Sequence, residues 1–323
     1  MSRVKVFITR RIPDMGLKLI QQECETRIWE GDLPPSREEL LSLVAGVDGI
    51  LSLLSDRIDG AVMDAAGDNL RVISNYAVGF NNIDIGEATR RNIAVGNTPD
   101  VLTEATADFA FALMMSAGRR VVEAAENVKQ GLWKTWGPSI LLGVDFHQKT
   151  LGIIGYGRIG KAMARRAAGF DMNILVYNRG AVQDDLVDQV DLDTLLRQSD
   201  FISIHTPLMP KTRSLINQQA FQKMKPSAVL VNTARGEIVD QDALYQALSS
   251  KSIFSAAIDV TDPEPLPMDS PLRQLDNLLI TPHIASASTS TRDQMAVIAA
   301  RNLLAGLKGE RLPFPVNPQI YTA

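Results

Sequence analysis

Short apolar runs alternate with stretches of helical periodicity along most of the chain. VKVFIT is followed by a helix near Pro13 to Gln22, a short run at Thr26 to Trp29, and a helix opened by Ser36. Glu39, three residues after Ser36, completes a capping box. GILSLLS, a helical DGAVMDAAG, RVISNYAVG, IDIGEATRR and IAVG continue the alternation to about Pro99. This is the pattern of βα units feeding a parallel sheet. One long helix is then predicted from Thr103 to about Val128. Its first half is apolar on more than one face, which predicts burial beyond a single core stripe, against a second subunit. Residues 130 to 149, with Trp133, Trp136, Pro138 and Gly143, lack a sustained period and predict an ordered excursion. From Thr150 a second series starts: LGIIG, NILVY, FISIH, AVLVN, FSAAIDV and NLLIT are six strand candidates. A last helix, Thr289 to Leu307, follows that completed series and is expected to return to the N-terminal layer, so that the smaller domain is discontinuous.

Whole-chain properties narrow the class. A length of 323 residues predicts two domains, and 45% hydrophobic with 22% charged residues is a globular balance. No apolar run approaches the ~18 residues of a membrane span, and VFI near the N-terminus is too short for a signal peptide's apolar region. The one cysteine, Cys24, excludes an internal disulfide and any cysteine-based metal cluster. It reads as a core residue of a cytoplasmic protein. With a net charge of −4 and scattered basic residues, there is no footprint for nucleic acid.

The second series opens on LGIIGYGRIG, an apolar strand pattern closed by Gly155, Gly157 and Gly160, with Tyr156, Arg158 and Ile159 between them. The first glycine permits a tight strand-to-helix turn, the second lets backbone N–H groups approach a pyrophosphate, and the third lets the helix pack on the strand. The following KAMARRAAGF sets Ala162, Met163, Ala167 and Phe170 at helical spacing. A dinucleotide cofactor is therefore expected at the helix N-terminus. The next apolar run, ILVY, ends in Asn178 and Arg179. An acidic side chain there would accept from a ribose 2′-hydroxyl; asparagine and arginine suit a 2′-phosphate. NADP(H) is the expected cofactor, with NAD(H) still accommodated.

Three histidines compete for proton chemistry. His147 lies in a polar loop and reads as a surface residue. His205 ends FISIHTP at a carboxyl strand edge, where it lines a cofactor crevice or serves the fold. His283, in ITPHIAS, follows the last strand at the crossing back to the first domain, which places it in the expected cleft. Hydride transfer to a carbonyl needs a proton donor, a cation for the substrate, and a group that keeps the donor protonated near neutrality. Arg235 after AVLVNTA and Glu264 in TDPEPLP follow successive strands and complete that set. Each has a plainer reading: a solvated loop arginine, a loop carboxylate between prolines, and for His283 a helix cap.

NTARGEIVD, AAIDVTDPEPLP, ITPHIAS and LGIIGYGRIGKAMARR resemble the signatures of the D-isomer-specific 2-hydroxyacid dehydrogenases, over nearly the whole chain and most closely their glyoxylate/hydroxypyruvate reductases. The resemblance implies that Arg235 binds and polarises a 2-oxo acid, that Glu264 hydrogen-bonds His283, and that His283 is the acid/base. It implies a substrate carboxylate on the backbone N–H groups of Val78 and Gly79, faced by Leu54 and Ser55. Thr106, Thr206, Thr233 and Asp259 resemble cofactor contacts, the last through the carboxamide. The implied fold is α/β, with two Rossmann-like doubly wound parallel-sheet domains: a discontinuous flavodoxin-like substrate-binding domain (1–100 and 286–323) and an NAD(P)-binding domain (101–285). The implied activity is NAD(P)H-dependent reduction of glyoxylate or hydroxypyruvate to the D-2-hydroxy acid, without a metal, in a homodimer. Trp133 and Trp136 then pack that interface or wall the partner's substrate pocket. Two alternatives stay open: a sibling dehydrogenase acting on phosphoglycerate or D-lactate, and a nucleotide-sensing, corepressor-like binding protein.

Overall fold

The computed structural model describes residues 3–322, which form two compact units, one of residues up to 102 together with those from 287 onward, the other of residues 103–286. The first unit contains β1 (Lys5–Ile8), α1 (Asp14–Glu23), β2 (Glu25–Ile28), α2 (Arg37–Leu43), β3 (Gly49–Ser52), α3 (Gly60–Ala66), β4 (Val72–Asn75), α4 (Ile85–Arg90) and β5 (Ala94–Gly96). Its sheet has the order β2-β1-β3-β4-β5 and is parallel throughout. Because successive strand side chains point to opposite faces, Val6 and Ile8 join Leu51 and Val72 on one side, and Phe7 joins Ile50 and Ile73 on the other. The second face is covered by Leu40 of α2 and by Val62 and Met63 of α3. The strand order reverses between β1 and β3, so the loops after those strands frame the unit's switch point.

The second unit begins with α5 (Thr103–Gly118) and α6 (Val121–Lys129). It continues with β6 (Thr150–Ile154), α7 (Arg158–Ala168), β7 (Asn173–Tyr177), β8 (Asp188–Gln189), α8 (Leu192–Gln198), β9 (Phe201–Ile204) and α9 (Gln218–Phe221). β10 (Val229–Asn232), α10 (Gln241–Ser249), β11 (Ser255–Ile258) and β12 (Leu278–Ile280) complete it. The order β12-β11-β10-β9-β6-β7-β8, all parallel, is doubly wound with its switch point between β6 and β9. The six expected strands are present; β8, only two residues long, carries no apolar pattern that could announce it. The final helix, α11 (Thr289–Leu307), belongs to the first unit, where Met295, Ala296, Ala299 and Leu303 cover the Val6/Ile8 face beside Leu17 and Ile20 of α1.

The helix expected to run unbroken to about Val128 is instead two. α5 ends at Gly118, Arg120 takes a left-handed φ of 53°, and α6 starts at Val121. The end has a partner: Val144 N–H donates to Gly118 O at 2.9 Å as the excursion folds back over it. The extra apolar faces of α5 also have a local explanation. Ala107, Ala110, Phe111, Leu113 and Met114 are buried within the unit, between α7 and strands β10 and β11. The exposed apolar side chains come later, at Val121, Val128, Leu132, Trp133, Trp136 and Leu142.

His205, at the carboxyl end of β9, hydrogen-bonds Ser203 Oγ through Nε2 at 2.8 Å, and burial pushes its imidazole down to about 4. The unfolded chain takes up this proton near the ordinary value of 6.5, whereas the folded chain resists it until about 4. Stability from this group is therefore complete above that upper value and declines as pH falls through the window. Chemical denaturation of the second unit from pH 7 to 4 should show a falling midpoint, and His205→Asn should flatten the slope; an unchanged slope would assign it to other groups.

Candidate active site

The glycine turn between β6 and α7 is shaped by contacts that only glycine permits. Gly155 has φ +96°, and a Cβ there would lie 2.7 Å from Thr206 N and 2.8 Å from His205 O. A Cβ on Gly160 would lie 2.3 Å from Gly155 O, so the third glycine sets the helix against the turn. Gly157 differs, since a Cβ there meets open space, and as the N-cap of α7 it has no side-chain cap. The N–H groups at the start of α7 therefore carry no side-chain cap and border open space, as a bound pyrophosphate requires. Thr233, after β10, has a buried Oγ1 with no partner among the described residues. Thr206 is half-buried against the turn, and Thr106 is buried on α5. These features fit a dinucleotide.

At the end of β7 the two residues expected at a 2′-phosphate have separate surroundings. Asn178 Oδ1 accepts from Tyr156 N–H at 3.2 Å, and its Nδ2 donates to Gly180 O at 3.1 Å, so its side chain ties the glycine turn to the loop after β7. Arg179 is exposed, with no ion pair among the described residues. The loop is held further by Gln189, which donates to Asn178 O and Gly180 O at 3.1 and 2.9 Å, and by Tyr156 OH, which donates to Asp184 at 2.8 Å. Burial and that carboxylate push the Tyr156 phenol upward. The sequence reading missed Gln189 and Asp184, which sit in a polar stretch with no periodicity.

Three strand ends converge on His283. Its Nδ1 lies 2.6 Å from Glu264 Oε1, at the loop that follows β11. A carboxylate accepting the Nδ1 proton leaves Nε2 as the nitrogen that exchanges protons with a ligand. Arg235, after β10, sits in a turn fixed by buried Asn232, whose Nδ2 donates to Arg235 O at 2.8 Å and whose Oδ1 accepts from Ala234 N–H at 3.0 Å. Gly236 lets this turn approach the Glu264 loop, since a Cβ there would lie 2.2 Å from Thr261 O. Burial works against the Arg235 charge, while the carboxylates of Glu264 and Glu237 favour it. Glu264 thus acts on both the cation and the imidazole. A cavity of about 600 Å³ is lined by Asp259, Thr261, Glu264, Pro265 and His283.

Asp259, at the end of β11, carries the His283 loop. It is 1% exposed; Oδ1 accepts from Thr281 Oγ1 at 2.6 Å and Ile284 N–H at 2.9 Å, while Oδ2 accepts from Ala285 N–H at 2.7 Å. His283 itself has φ 55° and donates its N–H to Asp259 O at 2.9 Å. His147 is exposed, 3.4 Å from Asp171.

In the first unit, the loops after β3 and β4 carry the remaining candidates. Leu54 and Ser55 are exposed, and Ser55 Oγ accepts from Arg10 Nη2 at 3.0 Å. After β4, the carbonyls of Ala77, Val78 and Gly79 accept from Thr98 N–H, Asn97 Nδ2 and Asn75 Nδ2 at 2.9, 2.8 and 2.9 Å. The N–H groups of Val78 and Gly79 have no acceptor among the described residues. Two consecutive donors with their carbonyls tied down make an anion-receiving edge.

Residues 111–285 match the family profile described as D-isomer specific 2-hydroxyacid dehydrogenase, NAD binding domain. The chain is 49% identical to a glyoxylate reductase of Korarchaeum cryptofilum, over 98% of this chain and 96% of that one. It is 46% identical to the human glyoxylate reductase/hydroxypyruvate reductase, over 96% and 97%. Its fold matches the crystal structure of an NADPH-dependent glyoxylate/hydroxypyruvate reductase from Sinorhizobium meliloti, in complex with NADP and malonate, with a TM-score of 0.84, 29% identity and 98% of each chain covered. A match over more than half the chain, with near-full-length relatives at this identity, means that the chain belongs to the D-isomer specific 2-hydroxyacid dehydrogenase family.

Proposed function

We propose that this protein reduces glyoxylate or hydroxypyruvate to the D-2-hydroxy acid, with NADP(H) preferred over NAD(H). The observation that carries this reading is the 2.6 Å contact between Glu264 and His283, with Arg235 under the influence of the same carboxylate. It supplies an oriented proton donor and a substrate cation on the carboxyl edge of a sheet that carries a dinucleotide turn. The N–H groups of Val78 and Gly79 receive the substrate carboxylate, with Leu54 and Ser55 beside it, and Arg235 binds the 2-oxo acid. A reduced nicotinamide, when bound, supplies the hydride. Gly155 to Gly160 hold the pyrophosphate, and Thr106, Thr206, Thr233 and Asp259 make further cofactor contacts. His283 Nε2 gives its proton to the carbonyl oxygen while Glu264 stabilises the imidazolium that donates it, and Arg235 steadies the growing negative charge. This assigns residues 103–286 to the cofactor and the other unit to the substrate. The buried single thiol of Cys24 suits a reducing cytoplasm.

Steady-state turnover with NADPH separates this enzyme from a nucleotide-sensing binding protein. His283→Asn should lower kcat for glyoxylate by roughly 10²- to 10⁴-fold, and Arg235→Ala should abolish turnover while NADPH still binds. A wild-type rate no higher than that of Arg235→Ala would leave a sensor.

For cofactor choice, the support is Arg179, exposed beside a loop whose asparagine is already engaged, together with the NADP complex of the Sinorhizobium relative. One charge-assisted hydrogen bond is worth about 1.5–3 kcal/mol. Arg179→Ala should therefore lower kcat/KM for NADPH roughly ten- to hundredfold and leave NADH nearly unchanged; equal losses with both cofactors would count against a phosphate contact.

The protein is further proposed to be a homodimer. The support is that Val121, Val128, Leu132, Trp133, Trp136 and Leu142, all within residues 121–142, are exposed, the two tryptophans by 62% and 78%, and large apolar side chains grouped in water mark interaction sites. Sedimentation should give twice the 35.3 kDa chain mass, and Leu132→Asp with Trp133→Asp should give the monomer; a wild-type monomer would refute the assembly.

A further inference from the structure

The loop that offers the Val78 and Gly79 N–H groups is not held by its own turn geometry. Its three consecutive carbonyls, Ala77 to Gly79, are pinned from outside, two of them by side-chain amides. The amide that takes Gly79 O belongs to Asn75, the last residue of β4, which is fully buried. Asn75 Oδ1 accepts from Ser52 Oγ at 3.1 Å, and Asn75 Nδ2 also reaches Asn82 Oδ1 at 3.1 Å. Asn82 in turn points its Nδ2 at the neighbouring loop, 3.0 Å from Leu53 O and 3.1 Å from Asp56 O. The same turn is closed on its other side by the buried Asp56 carboxylate, which accepts from Leu53 N–H at 2.7 Å and from Thr9 Oγ1. Two adjacent asparagine side chains therefore join the loop carrying Val78 and Gly79 to the loop carrying Leu54 and Ser55.

We propose that Asn75, Asn82 and Asn97 are positioning residues that preset the substrate-carboxylate loop, the first two also coupling it to the Leu53–Asp56 turn, without touching substrate themselves. The inference rests on the reading of Val78 and Gly79 as the carboxylate receivers. A carboxylate is bound well by backbone N–H groups only if their direction is fixed beforehand; otherwise ordering the loop subtracts from affinity. Ala77 O and Val78 O lie in the peptide planes that carry the Val78 and Gly79 N–H groups, so Thr98 N–H and Asn97 aim the two donors, while Asn75, held by Asn82, fixes the plane that follows them at Gly79 O. Removing the Asn82 amide leaves two carbonyls of the partner loop without their donor and frees Asn75 to turn. The loss falls on substrate affinity, because hydride and proton transfer involve other residues.

The test compares the wild type with N82A and N97A, using glyoxylate, glycolaldehyde (which lacks the carboxylate) and NADPH. N82A should raise KM for glyoxylate about tenfold, change kcat by less than about threefold, and leave the NADPH dissociation constant and the KM for glycolaldehyde unchanged. N97A, which removes only the bond to Val78 O, should show the same split at about threefold and carries the test alone if N82A does not fold. A glyoxylate KM within twofold of wild type in the folded variants, or an equal rise for glycolaldehyde, overturns the inference while leaving the reductase reading intact. If the wild type itself prefers glycolaldehyde to glyoxylate, or turns over neither, the reading of the site fails first.

Discussion

The candidate chemistry depends on one buried carboxylate. Asp259 accepts three hydrogen bonds from the 281–285 loop and, through its backbone carbonyl, a fourth from His283 N–H. Holding a non-glycine residue such as His283 at φ 55° costs about 1–3 kcal/mol. Hydrogen bonds to a charged acceptor contribute about 1.5–3 kcal/mol each, so the three to the carboxylate outweigh the strain. The imidazole is thereby fixed at its backbone by Asp259 and at its ring by Glu264. Asp259 is itself the continuation of β11, its N–H bonded to Asn232 O, so the site inherits the rigidity of the sheet.

Much of this was legible in the sequence because it follows from periodicity and from glycine sterics. The capping box at Ser36 and Glu39 forms, with Ser36 N–H donating to Glu39 at 2.7 Å. Every candidate strand that opens on an apolar run is a strand. The return of the last helix was readable too, since it follows a series already complete. What periodicity could not reveal was where a helix stops for a tertiary reason. The apolar spacing carries on from Thr103 to Val128, with Gly118 as a local cue to a break, and Val144 N–H, from further along the chain, closes the end there. The apolar excess of α5 was read as a subunit contact, but it serves layers of its own unit.

The polar scaffolding was the least legible part. His283, Glu264 and Arg235 stand out because they follow strands and suit one reaction. Asn75, Asn82, Asn232 and Gln189 do not, since an uncharged amide gives no sign in sequence of whether it faces solvent or a backbone carbonyl. Asn178 illustrates the same ambiguity: its residue type suits a phosphate, yet both ends of its amide are taken up by the protein. Only the fold shows which polar groups are spent on holding loops.

The return of α11 to the first unit bears on how the polypeptide matures. On a ribosome, residues 3–102 emerge before the inserted unit, but α11, which shares with α1 the cover of Val6, Ile8, Leu51 and Val72, is synthesised after it. The whole of residues 103–286 lies between. That face of the five-stranded sheet therefore has only α1 over it, and is open to wrong partners, until α11 follows, while the inserted unit already has every segment of its own core.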